Sequence, residues 1–194
     1  MQQTLQNLAK AYVLECQARN RYNMYASVAR KEWYLQIAEI FEKTAEQERE
    51  HAWRFFKMIQ QLEEKSWTKV WEMMIETWVP IMRGTTLENL WYAVSGESHE
   101  FESLYPEFAR IAQEEWLNDI AARINSISRA EQHHAERYTK LQKELSNQTL
   151  YAKAQDTIWI CDKCGYEYIW KNPPAKCPSC GHEHNYFQVK CENY

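Results

Sequence analysis

Glycine is scarce: four among 194 residues, Gly84, Gly96, Gly165 and Gly181. A fold of short strands and tight turns uses glycine wherever φ must be positive, so this scarcity excludes a β-rich architecture over most of the chain. Long helices are expected instead. Also missing is any apolar run of about 18 residues, so no membrane-spanning helix is expected. The opening residues, Met1-Gln-Gln-Thr-Leu-Gln-Asn7, lack a basic stretch followed by an apolar core, and no signal peptide is read there. Positive charge is not in excess: 23 Lys and Arg stand against 27 Asp and Glu, for a net charge of −4. That excludes the basic footprint of a nucleic-acid binder. With 45% hydrophobic and 26% charged residues, the chain reads as a soluble, cytoplasmic protein with one good-sized core and a small satellite.

Of the six cysteines, four crowd into 20 residues: Cys161, Cys164, Cys177 and Cys180. A disulfide framework spreads its cysteines through a small secreted chain, whereas paired CxxC motifs in a cytosolic chain favour a metal. Gly165 and Gly181 follow the two pairs directly and permit the positive φ of a knuckle turn. Four thiolates in a closed tetrahedron suit zinc or iron equally by geometry, and spacing alone favours a structural zinc ribbon. Cys16 and Cys191 are read as ordinary thiols.

The chain repeats itself. Thr4-Leu5-Gln6-Asn7-Leu8 returns as Thr86-Leu87-Glu88-Asn89-Leu90, and Glu15 as Glu97, at an offset of 82. Beyond them the offset becomes 83: Tyr22 pairs with Tyr105, Glu32-Trp33 with Glu115-Trp116, and Glu48-x-x-His51-Ala52 with Glu131-x-x-His134-Ala135. Such self-similarity means two copies of one helical hairpin packed together. Apolar periodicity predicts helices over 4–31 and 34–63 in one copy, and over 86–113 and 117–146 in the other, with Thr4 and Thr86 as N-caps. Short turns make each pair antiparallel, and 64–85, with Pro80 and Gly84, read as a long crossover. The expected fold is mainly α, a ferritin-like four-helix bundle with one long crossover. The step from 82 to 83 predicts a one-residue insertion near Glu100, of the kind a helix absorbs as a π-bulge, although Pro106 can also disturb the helix there. The expected domains are the bundle over 1–146, a polar linker over 147–157, and a tetracysteine domain over 158–194.

A bundle di-iron site asks for one Glu from each of two helices and a Glu-x-x-His from each of the others. The i, i+3 spacing puts carboxylate and imidazole on one helical face. Glu15, Glu48, His51, Glu97, Glu131 and His134 meet this demand. Hard oxygens with one imidazole per metal suit iron or manganese. His99 and His133 have no duplicate and are read as surface.

The stretches Glu15-Cys-Gln-Ala-Arg-Asn-Arg-Tyr22, Thr44-Ala-Glu-Gln-Glu48-Arg-Glu-His51-Ala52, Gly96-Glu97-Ser-His-Glu100 with Leu104-Tyr-Pro-Glu-Phe-Ala109, and Glu131-Gln-His-His134 resemble the rubrerythrins. With the rubredoxin-like tail the resemblance spans nearly the whole chain. It implies an oxo-bridged di-iron site in which Glu48 and Glu131 bridge, while Glu15, Glu97, His51 and His134 are terminal ligands. It implies Glu100 as a seventh ligand, exchanging with the second-helix His as the redox state changes. Tyr22 and Tyr105 match family tyrosines that hydrogen-bond ligand carboxylates. Where the family has Gly before the first Glu, Ser after it, and Gly closing the first and third helices, this chain has Leu14, Cys16, Trp33 and Trp116.

The resemblance further implies a peroxidase that reduces hydrogen peroxide and protects against oxidative stress. A one-iron tetracysteine centre (zinc in some preparations) would relay electrons from an external NAD(P)H-linked reductase or rubredoxin, in an antiparallel homodimer. The readings left open are a ferritin-like ferroxidase, a zinc-ribbon interaction protein with a structural bundle metal, and a di-iron oxygenase.

Overall fold

The computed structural model describes residues 2–66 and 70–191, with only the backbone of Lys65 and Ser66. Met1, residues 67–69 of the expected crossover and residues 192–194 of the expected tail domain lie outside them. Helix α1 spans Gln2–Lys31 and α2 spans Leu35–Ser66. After the crossover come α3, Thr86–His99, a π-helical segment, Glu100–Leu104, and α4, Tyr105–Glu114, which together form the third rod of the bundle. Helix α5, Asn118–Ser146, is the fourth. Strands β1, Thr157–Cys161, β2, Glu167–Trp170, and β3, Phe187–Val189, form one antiparallel sheet in the order β2-β1-β3.

The duplication is visible in the hydrogen bonding. At the start of α1, the backbone N–H groups of Gln3 and Thr4 donate to Glu115, which follows α4. At the start of α3, Thr86 N–H donates to Glu32, which follows α1. A carboxylate from one copy thus satisfies the orphan N–H groups of the other and complements the helix dipole. Both hairpin turns run through a left-handed tryptophan, Trp33 at φ 66° and Trp116 at φ 63°.

The expected caps need correction. Thr85, not Thr86, caps α3: its hydroxyl accepts from Glu88 N–H, and the Glu88 carboxylate accepts from Thr85 N–H, a closed capping box. Thr86 is buried inside the helix, and Thr4 likewise, since α1 already includes Gln2. The second helix runs to Ser66, three residues beyond the expected 63. The single-residue insertion does emerge as the π-helical segment, and it begins at Glu100.

Two apolar clusters fill the bundle. One gathers Leu8, Ala11, Phe55, Tyr105, Ile124 and Ile127; the other gathers Ala18, Tyr22, Phe41, Ala45, Leu90, Ala93 and Tyr138. On every rod a glutamate falls at the boundary between them. Glu15 lies between Ala11 and Ala18, Glu48 between Ala45 and Phe55, Glu97 between Ala93 and Tyr105, and Glu131 between Ile127 and Tyr138. The fold therefore holds a polar slab between two dry cores. Burying ionised groups this way is costly unless they are paired or hold metal.

Candidate metal centres

All four slab glutamates are essentially buried, at 0–1% exposure, and His134 at 2%. Their donor atoms form two overlapping groups: Glu15, Glu48, His51 and Glu131, and Glu48, Glu97, Glu131 and His134, each with its donors within 4.8 Å of one another. Glu48 and Glu131 belong to both. Glu48 turns Oε2 to His51 Nδ1 at 2.8 Å and Oε1 to His134 Nδ1 at 3.1 Å. Glu131 does the same with Oε1 at 2.8 Å and Oε2 at 2.9 Å. Each shared carboxylate thus splits its oxygens between two imidazoles, the pose of a bridging ligand. Glu15 Oε2, 4.0 Å from His51, and Glu97 Oε2, 3.5 Å from His134, close the two ends.

Glu15 Oε2, Glu48 Oε1, Glu97 Oε2, both Glu131 oxygens and His134 Nδ1 are buried without an aligned hydrogen bond. Buried polar atoms in folded proteins are nearly always satisfied, so this concentration fits a pair of cations. The electrostatics agree. Burial pushes Glu15 and Glu100 well above the usual carboxylate range, and Glu97 to about 8. Burial acts on Glu48 in the same sense, but His134 and His51 outweigh it and hold that carboxyl at about 2. Burial also disfavours charge on the imidazoles, yet Glu131 and Glu48 outweigh that too, raising His51 to about 10 and His134 to about 12. Without metal, protons take the place of cations.

Tyr22 donates its hydroxyl to Glu97, and Tyr105 donates to Glu15, each across the duplication. Sequence reasoning missed the support of His134: its Nε2 lies 3.1 Å from Gln47 Oε1, and Arg137 donates to Thr44 and to Gln47. In the duplicate, Gln47 corresponds to Ala130, and that asymmetry is the one signal of its role. Glu100 is buried but stands outside both donor groups. It lines a cavity of about 530 Å³ beside Arg21, Gly96 and His99. Both His99 and His133 are exposed, as expected.

The second centre is the tetracysteine cluster. Cys161, Cys164, Cys177 and Cys180 bring all four sulfurs within 4.8 Å of one another, and none is in a disulfide. The knuckle turns close with Gly165 N–H on Cys161 O at 2.8 Å and Gly181 N–H on Cys177 O at 2.9 Å, at φ 73° and 77°. The backbone N–H of Tyr166 points at the Cys164 sulfur and draws its thiol down to about 6. Such N–H donors stabilise thiolates, the form that binds metal. Cys16 is partly buried and Cys191 exposed, and neither joins a metal-ligating group among the described residues.

The rubrerythrin sequence profile matches residues 6–142, and that of the rubrerythrin rubredoxin-like domain matches residues 159–188. The chain belongs to the rubrerythrin family. That family joins a di-iron bundle to a rubredoxin-like iron domain, and both donor sets described above are present. A Methanocaldococcus jannaschii protein carrying the rubrerythrin name is 47% identical, the match covering 100% of this chain and 96% of the relative. Rubrerythrin-1 of Clostridium acetobutylicum is 41% identical, over 98% of this chain and 96% of the relative. Among solved structures, partially reduced nigerythrin superposes with a TM-score of 0.63 at 31% identity, covering 96% of this chain and 86% of that one. Among the described residues no helix is long and apolar enough to cross a membrane.

Proposed function

We propose that this rubrerythrin-family chain is a hydroperoxide reductase that turns hydrogen peroxide into water with electrons passed through the tetracysteine centre. One observation carries the reading: two shared carboxylates splitting their oxygens between two imidazoles, in the same chain as a four-thiolate site. Residues 1–146 form the di-iron domain, 147–157 the linker and 158–194 the electron-transfer domain. Glu15, Glu48, His51, Glu97, Glu131 and His134 hold the iron pair, with Glu100 as an exchangeable ligand, and the four cysteines hold one iron. When bound, the iron pair supplies two electrons and Lewis acidity for cleaving the O–O bond. The chain's own part is to orient and to exclude. Glu48 and Glu131, each set between two imidazoles, would be shared by both metals, and the Tyr22 and Tyr105 hydroxyls orient the carboxylates of Glu97 and Glu15. The two apolar cores keep bulk water from the slab.

The placement of the tetracysteine domain supports a homodimer. Its Asp162, Asn185 and Tyr186 lie against Leu35 and Glu39 at the start of α2. Glu48 is thirteen residues beyond Leu35, roughly 20 Å along the helix axis. A second, antiparallel copy would bring a tetracysteine iron nearer. The electron source in this reading is a rubredoxin-like or NAD(P)H-linked reductase partner. A ferritin-type ferroxidase has no use for such a domain. Glu48→Ala tests the assignment: it should empty the bundle of iron and abolish peroxide turnover while leaving the tetracysteine spectrum intact. Retained turnover with two bundle irons per chain would refute it.

A further inference from the structure

A cavity far larger than hydrogen peroxide needs lies beside the slab, with Glu100 in its wall. It lies between α1 and α3 under the crossover, and its volume is about 530 Å³. A water-sized molecule occupies roughly 30 Å³, whereas pockets for drug-sized ligands run from about 300 to 1,000 Å³. Its lining is amphipathic. Glu100 and Arg21 form a polar end, with Glu100 interacting electrostatically with Glu15 and Glu97 of the slab. Leu14, Leu104, Phe108 and the crossover's Trp78 supply apolar walls. Trp78 is 85% exposed, a large apolar side chain held at the rim with no core to serve. Leu14 stands where the family resemblance expects glycine, so this chain adds an apolar group to the wall.

We propose that this cavity admits organic hydroperoxides, with the alkyl or aryl group against the apolar walls and the peroxide group toward Glu100 and Arg21. The inference rests on the peroxidase reading and names a further substrate class for the same site. The reaction balances as ROOH + 2 H⁺ + 2 e⁻ → ROH + H₂O. The O–O bond breaks, two O–H bonds form with protons from solvent, and the electrons come from the reduced metal pair that hydrogen peroxide would otherwise oxidise.

The test uses the full-length holoprotein with cumene hydroperoxide as substrate and cumyl alcohol as an unreactive probe. Equilibrium dialysis should show one cumyl alcohol bound per chain. Trp78→Ala should weaken that binding about tenfold, the effect of withdrawing roughly 50 Å² of apolar contact at about 25 cal/mol per Å². The ratio of kcat/KM for cumene hydroperoxide to that for hydrogen peroxide should fall by the same factor, through KM, and Trp78→Phe should restore both at unchanged oligomeric mass. Reduction of hydrogen peroxide with no reaction of cumene hydroperoxide and no cumyl alcohol bound would overturn this inference alone. Turnover of neither hydroperoxide would overturn the peroxidase reading and this one with it.

Discussion

Replacing Tyr22 or Tyr105 by phenylalanine removes one oxygen atom and nothing else. Tyr22 Oη donates to Glu97 and Tyr105 Oη to Glu15, and all four residues are buried. A hydrogen bond to a charged group contributes about 1.5–3 kcal/mol, which is roughly 10–150-fold in affinity. Partners that orient ligands typically cost 10–100-fold when removed, in the same range. The rings keep their packing: Tyr22 stacks on Phe41 at 5.9 Å and Tyr105 lies 5.4 Å from Phe55, so the fold should lose little stability. Because each hydroxyl serves one half of the slab, Tyr22→Phe should weaken the metal near Glu97 and His134. Tyr105→Phe should weaken the one near Glu15 and His51. Anaerobic Fe(II) titration against a competing chelator should resolve one weakened and one nearly normal site in each variant. Wild-type affinity at both sites in both variants would refute the proposed role of these hydroxyls.

Further outcomes follow from other parts of the structure. Cys164→Ser should remove the red colour of a tetracysteine iron and stop donor-driven turnover, while the chemically reduced bundle still reacts once with peroxide. Survival of donor-driven turnover would make that domain structural. His51 at about 10, His134 at about 12 and Glu97 at about 8 all carry protons at pH 7 in the metal-free chain. Iron must displace these protons, so loading at pH 7 should release acid and affinity should rise with pH. An unbuffered titration showing no proton release would contradict that. Trp116 is left-handed and 88% exposed, so Trp116→Gly gives up little packing and should stabilise the fold by about 1 kcal/mol. Unfolding in urea measures it, and a loss of stability would show that Trp116 packs against more than its exposure suggests.

The bundle was legible because it was written twice. The offset between Glu15/Glu97 and Glu48/Glu131 placed four carboxylates at matching heights, and the structure sets them at the boundary of its two cores. The one-residue slip between copies likewise surfaced as the π-helical segment at Glu100. What was misread is local. Thr85 and Thr86 are both competent caps, and only the reciprocal bonding with Glu88 decides between them. What was invisible depends on cross-helix geometry: Gln47 against His134, and Arg137 against Thr44 and Gln47, are more than 80 residues apart in pairs that no helical period relates. The cavity beside Glu100 was equally hidden, since part of its wall comes from a crossover with no regular structure.

Peroxidase activity is tested most directly by what the reduced protein does with peroxide. Anaerobic stopped-flow mixing of the fully reduced, iron-loaded chain with one equivalent of hydrogen peroxide, with iron counted per chain, measures it. Three irons per chain, consumption of one peroxide for every two bundle irons oxidised, and re-reduction of the bundle when donor is supplied are the predicted results. A loaded bundle that oxidises no faster with peroxide than with oxygen, or one that donor cannot re-reduce when iron fills the four cysteines, would contradict the peroxidase assignment.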